Sequence, residues 1–149
     1  MRIEEYSISS LAWLGDAVYE LAIRQRLLSA SLAISGELHR QAIEFVSARA
    51  QARALLELWP RLDGQELNIV RRARNYHAQS LPKHQKPEDY RLATALEALI
   101  GWHELRGETE RNRELIDLAF HFLWGQLNAE HQPQKSLLSG GGSYASEAK

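Results

Sequence analysis

Glu97 sits in the run Ala93-Thr94-Ala95-Leu96-Glu97-Ala98-Leu99-Ile100-Gly101, whose composition is otherwise that of a buried helix. Residues three and four apart are neighbours on a helix surface, and for Glu97 these are Ala93, Thr94, Ile100 and Gly101. None of them can pair with a carboxylate. An acid so placed loses its charge, finds a partner on another element, or binds a cation. Asp16 has the same character. It follows Gly15 in Leu14-Gly15-Asp16-Ala17-Val18-Tyr19-Glu20. A glycine inside a helix costs about 0.5–1 kcal/mol relative to alanine, so it usually marks close approach by another group. Glu20 lies one turn on from Asp16, where like charges repel. A divalent cation would turn that repulsion into attraction, and Mg2+ asks only for a few carboxylates and retained waters. Each acid also has a plain structural reading: half-exposure or an arginine from another helix for Glu97, a backbone group or Tyr19 for Asp16, and an ordinary surface pair with Arg24 for Glu20.

Other chemistries are poorly served. The 149-residue chain has no cysteine, which excludes disulfides and thiolate metal sites. Its histidines form no HExxH pattern, and His39, His103 and His121 read as helix-surface or core residues. No glycine-rich loop follows a strand pattern, and no serine triad can be assembled. A net charge of −1 and a pI of about 6.6 are not the footprint of a nucleic-acid binder. Yet Arg71, Arg72, Arg74, Lys83, Lys86 and Arg91 gather in one middle stretch, with His77 and His84 among them. Such a patch attracts phosphate even on a slightly acidic protein, although clusters of this kind are more often simply solvated.

The elements that must position these residues are helices nearly throughout, and the expectation is an all-α single domain over residues 1–127. Leu11, Leu14, Val18, Leu21 and Leu28 form the stripe of a core-facing first helix, with Ser9 or Ser10 as its N-cap. Leu38, Ala42, Phe45, Ala52, Leu55 and Leu56 form a second stripe, ended by Trp59-Pro60. Asp63 and Glu66 fit a capping box that opens a short helix through Val70. Residues 75–86 read as a loop. Pro87 suits the first turn of the next helix, with Glu88 and Asp89 beside it and Gly107 as C-cap after about Arg106. A last helix spans about Thr109 to Gln126. Residues 128–149 are too polar to order themselves and read as a disordered tail. The N-terminus lacks the signature of a secretory signal, and no apolar run nears the ~20 residues of a membrane span, so a cytoplasmic protein is expected.

Leu14-Gly15-Asp16-Ala17-Val18 resembles the LGDAV signature of ribonuclease III catalytic domains, and Glu97-Ala98-Leu99-Ile100-Gly101 resembles their second acidic motif. Phe45 to Ala52, Val70 to Asn75 and Tyr90 to Glu97 are similar to segments of the Mini-ribonuclease III family. The resemblance covers roughly residues 8 to 125 in the family's order. It implies the all-helical ribonuclease III endonuclease fold, a homodimer, and Mg2+-assisted hydrolysis of double-stranded RNA to 5′-phosphate and 3′-hydroxyl ends, with Mn2+ as a possible substitute. The implied substrate is precursor 23S ribosomal RNA, in bacterial cytoplasm or plastid stroma. By motif matching Asp16 and Glu97 are the catalytic, metal-binding carboxylates; Glu20, one turn from Asp16, is a possible additional acid, and Arg71, Arg72, Arg74 and Lys83 of the basic stretch would contact phosphates. No double-stranded-RNA-binding domain follows the match, as in the Mini proteins. Ala12 and Thr94 stand where full-length ribonuclease III usually has acids, and Glu37 is a loose candidate for another. The main alternative is a non-catalytic RNA-binding or ribosome-assembly protein of the same fold. Trp13, Leu14 and their neighbours are the expected dimer face.

Overall fold

The computed structural model describes residues 2–31, 34–76, 83–84 and 86–130, and among these every regular element is helical. The α-helices are α1 (Ile8–Ala30), α2 (Ser35–Val46), α3 (Ala48–Leu58), α4 (Gly64–Arg74), α5 (Pro87–Leu105) and α6 (Thr109–Glu130), with short 3-10 turns at Ile3–Glu5 and Trp59–Arg61. Helix α5 is the axis of the fold: α1, α3 and α4 pack around it, and α6 closes against α3 and α5.

Local chemistry sets the boundaries. Helix α1 is capped by Ser7, whose hydroxyl accepts the Ser10 N–H at 3.1 Å, so the cap falls before Ser9 and Ser10. The stripe read across residues 38–56 is broken in two. Ser47 takes an extended conformation and its hydroxyl accepts the Ala50 N–H at 3.2 Å, ending α2 and starting α3 in one residue. The Asp63–Glu66 capping box forms, but α4 continues past Val70 to Arg74. Pro87 opens α5, and Gly107, at φ 71°, supplies the left-handed turn after it. Helix α6 runs on to Glu130, through the first residues of the stretch read as tail, and residues 131–149 lie outside the described ones. So does most of the loop read over 75–86, His77 included.

The leucine stripe expected to face the core from α1 largely does not. Leu21 is 60% and Leu28 66% exposed, and Leu14 and Val18 are only partly covered. The buried face is Ile8, Leu11, Ala12, Gly15, Tyr19, Ile23 and Leu27, which keeps Leu11 of that stripe and is rotated around the helix away from Leu21 and Leu28. The reason is Gly15. A methyl group there would overlap the carbonyl oxygen of Glu97, and one at Gly101 would overlap that of Leu11. The two glycines let α1 and α5 cross backbone to backbone, and that contact turns the more obvious apolar stripe outward.

Polar ties hold the other helices in place. Glu66 is wholly buried at the start of α4. Its carboxylate accepts Arg111 Nη2 at 2.7 Å, Arg111 Nε at 3.0 Å, the Asp63 N–H at 2.9 Å and His103 Nε2 at 2.6 Å. Burial by itself would push its pKa up, but the bonds from Arg111, Asp63 and His103 prevail and hold it at about 2. Arg111 also reaches the Arg61 carbonyl at 2.9 Å, so one guanidinium joins α6 to α4 and the turn before it. Arg26 bridges α1 to Asp117 of α6 at 2.7 Å, and Phe45, Phe120 and Trp124 stack between α2 and α6.

The crossing makes the effect of alanine depend on place. Gly125, in α6, has nothing within 4 Å of an added Cβ, so Gly125→Ala should be neutral or stabilise by up to about 1 kcal/mol. Gly15→Ala and Gly101→Ala should each cost at least about 3 kcal/mol, lowering the melting temperature by roughly 6–12 °C or abolishing folding. Thermal melts of the three variants check this; equal behaviour at positions 15 and 125 would contradict the close crossing.

Candidate functional site

The glycine contact brings the two anomalous acids together. Asp16 follows Gly15 on α1, and Glu97 is the residue whose carbonyl Gly15 touches, so each carboxylate leaves its helix beside the crossing. Asp16 opens to solvent while Glu97 is half-buried. Among the described residues no lysine or arginine pairs with either. The arginine from another helix, one of the structural readings open for Glu97, is not there.

The electrostatics follow from that isolation. Burial and then the charge of Asp16 push the Glu97 carboxyl up to about 8, against a smaller downward pull from a hydrogen bond with Gln51. Asp16 is raised by burial and then by Glu20. Glu20 itself pairs with Arg24 at 2.8 Å across an exposed turn, as a surface acid would. Glu37 pairs with Arg40 at 2.8 Å, and Thr94 donates its hydroxyl to the Tyr90 carbonyl at 2.9 Å. Among the described residues no group of three or more His, Asp or Glu side chains is arranged to hold a metal ion. The site is two carboxylates, with Tyr19 packed beneath: its ring is fully buried, its hydroxyl donates to the Phe45 carbonyl at 3.3 Å, and its pKa is raised by burial.

Sequence reasoning missed Gln51. It projects from α3, is 1% exposed, and acts on Glu97 by lowering its pKa, while its Oε1 is buried without a partner among the described residues. The only signal was a polar residue on the apolar face of a helix, in Ala48-Arg49-Ala50-Gln51-Ala52.

The basic cluster is divided. Arg71 and Arg72 are exposed and form no salt bridge among the described residues, and successive residues point about 100° apart around a helix. Arg72 turns into a groove of about 360 Å³ shared with Gln65, Asn68, Trp102 and Arg106. Arg74 pairs with Glu88 at 2.8 Å. Lys83 is exposed. The structure therefore gathers Asp16 and Glu97 at one point and spreads the cations over several faces.

Both acids lie within the stretch that a family comparison picks out. Residues 9–108 match the Ribonuclease III domain family. The chain is 45% identical over 116 residues to the Mini-ribonuclease 3 of Brevibacillus brevis, covering 78% of this chain and 87% of that one. It is 42% identical over 114 residues to the Mini-ribonuclease 3 of Symbiobacterium thermophilum, covering 76% and 88%. A crystal structure of a Fusobacterium nucleatum protein superposes with a TM-score of 0.73 at 31% identity, covering 80% of this chain and 95% of that one. A helical domain with the crossing intact, matched over most of its length by these relatives, is an endoribonuclease that belongs to the Mini-ribonuclease 3 branch of the ribonuclease III family.

Proposed function

We propose that this endoribonuclease cleaves double-stranded RNA with Mg2+ held by Asp16 and Glu97. The observation that carries the reading is the pair itself: two carboxylates from different helices, forced together by a backbone contact, with no basic partner among the described residues and Glu97 held up to about 8. The pair costs the fold stability when ionised, and a hard divalent cation with oxygen ligands and retained waters suits the donor set. When bound, the ion supplies an activated water and stabilises charge on the scissile phosphate. The chain's own contribution is orientation. Helix α1 offers Asp16 toward solvent, where a phosphodiester can approach, and α5 holds Glu97 half-sheltered against Tyr19 and Gln51. Glu20, spent on Arg24, acts on the site only through its charge.

Duplex recognition falls to phosphate contacts, because A-form RNA is read mainly by shape, backbone and 2′-hydroxyls. Arg71, Arg72 and Lys83 are exposed and pair with no acid among the described residues; Arg74 would first exchange Glu88 for phosphate. The second copy of a homodimer is supported by α1, where Trp13 is 80% exposed and continues into Leu21 and Leu28, a patch a monomer seldom leaves to water. Precursor 23S ribosomal RNA as substrate rests on the likeness to the Mini-ribonuclease 3 branch. A cytoplasmic setting accords with the absence, among the described residues, of any helix long and apolar enough to cross a membrane.

Cleavage of a labelled RNA duplex tests the site. Glu97→Gln and Asp16→Asn should each lower Mg2+-dependent cutting by at least about 1,000-fold while duplex binding in chelator stays within about threefold. Full cutting by either variant, or cutting by wild type in chelator, would remove the assignment.

The raised carboxyl also makes a stability prediction. A folded-state pKa of about 8 against 4.5 means the protonated form is favoured in the fold, so the stability is fully present below pH 4.5 and lost as pH rises through 8. Without metal, Glu97→Gln should melt with wild type near pH 4.5 and several degrees above it at pH 8.5, and Mg2+ should narrow that gap. Melting curves that coincide across the range would show that Glu97 pays no charge penalty.

A further inference from the structure

Helix α4 turns a polar edge toward α5. Gln65, Asn68 and Arg72, spaced by three and four residues, share one side of it and line the groove of about 360 Å³ with Trp102 and Arg106. Two of these side chains are fixed in advance. The Arg106 guanidinium lies 4.2 Å from the centre of the Trp102 ring and donates through Nη1 to Gln65 Oε1 at 3.2 Å. Glu108 stands only at the edge of ion-pair range from Arg106, at 4.0 Å. Asn68 and Arg72 are exposed, and among the described residues no hydrogen bond or ion pair employs their side chains. Bracing α4 against α5 needs Arg106 and Gln65 but gains nothing from either of them. Glu4 is the groove's one acid, against two arginines.

A guanidinium plane backed by tryptophan, a second arginine and two amides match the parts of an unpaired nucleotide. Its base stacks on an arginine plane, its edge meets side-chain amides, and its phosphate takes a charge-assisted bond. The groove lies at the small end of ligand sites, which run to roughly 300–1,000 Å³, and a duplex cannot enter it. Its place agrees. Arg106 follows Glu97 along α5 by nine residues, about two and a half turns and about 14 Å, so the two leave opposite sides of the helix. We propose that this groove binds one unpaired nucleotide of the RNA strand that runs on from the duplex. The base lies on Arg106 beside Asn68 and Gln65, and the phosphate meets Arg72. The inference rests on the proposed action on RNA, and it moves Arg72 from the duplex contacts to the strand beyond them.

Fluorescence anisotropy of a labelled tetraadenylate, titrated with the full chain in chelator, reads the groove apart from the cutting centre. Wild type should bind it at least about tenfold more tightly than the same tetramer without bases. Arg72→Ala should weaken binding about tenfold and flatten the slope of log affinity against log salt by about 0.7, the share of one phosphate on a single strand. Asn68→Ala should weaken it about fivefold with the slope unchanged, a split that a brace between helices would not produce. Glu97→Gln should match wild type within about twofold, because the two sites are far apart. In Mg2+-dependent cutting, four unpaired adenylates at each strand end should lower the KM of a duplex about fivefold, and Asn68→Ala should bring that ratio toward one. No binding of the tetramer, equal binding without bases, or equally effective displacement by inorganic phosphate would overturn the inference. So would an extension that brings no advantage, or one whose advantage survives in Asn68→Ala. Cutting that persists in Glu97→Gln while the tetramer still binds would bring down the metal reading alone.

Discussion

Two glycines facing each other across α1 and α5 govern much of what this molecule is. Gly15 lies on the carbonyl of Glu97 and Gly101 on that of Leu11, so the helices meet along their backbones with no side chain between them. No other residue type allows that distance. The contact decides which side of α1 is buried, since the face that carries Gly15 must turn to α5. It also sets the register of the site. Sliding either helix by a turn would separate Asp16 from Glu97, but the two glycines admit the close approach in one register only. A core contact and a catalytic geometry are here the same contact, and neither can change alone.

The two interior glutamates show how differently one fold can treat the same side chain. Glu66 is wholly buried, yet Arg111, His103 and a backbone N–H fill its acceptors, and its carboxyl is held at about 2. It ties α4, α5 and α6 together and has nothing left to offer a ligand. Glu97, less buried, is drawn down only by Gln51 and faces another acid, and its carboxyl rises to about 8. The contrast lies in what surrounds each: Arg111 is supplied to one and withheld from the other. Groups poised away from their ordinary pKa cluster at functional sites, and structural ion pairs are the usual confusion. Here the sign of the shift tells them apart. The stabilised acid belongs to the scaffold and the destabilised one to the chemistry.

Much of this was legible in the sequence, and the failures have physical causes. Asp16 and Glu97 stand out because a charge in an apolar helical run violates a simple expectation, and Gly15 because helices seldom accept glycine without a contact that requires it. The capping box at Asp63 and Glu66 reads directly, but the sharing of Glu66 with Arg111 and His103 does not, since it joins residues 37 and 45 positions apart. The leucine stripe of α1 misled because periodicity finds apolar faces without saying what covers them; Leu21 and Leu28 are apolar and exposed, while the truly buried face is disguised by a glycine and a tyrosine. The break at Ser47 was hidden by apolar residues that keep helical spacing across it. Gln51 escaped because an amide in an alanine-rich helix is unremarkable until the carboxylate it meets is known.

The account stands or falls on whether the crossing of α1 and α5 creates a place for one divalent ion. Crystals grown with Mn2+, with anomalous scattering recorded at the manganese edge, would locate that ion without any appeal to activity. A peak within coordination distance of both carboxylates, about 2.0–2.3 Å from an oxygen of Asp16 and of Glu97, is the expected result. A peak elsewhere, or none at saturating Mn2+ with Glu97 turned to a basic side chain, would mean that the crossing serves the core alone.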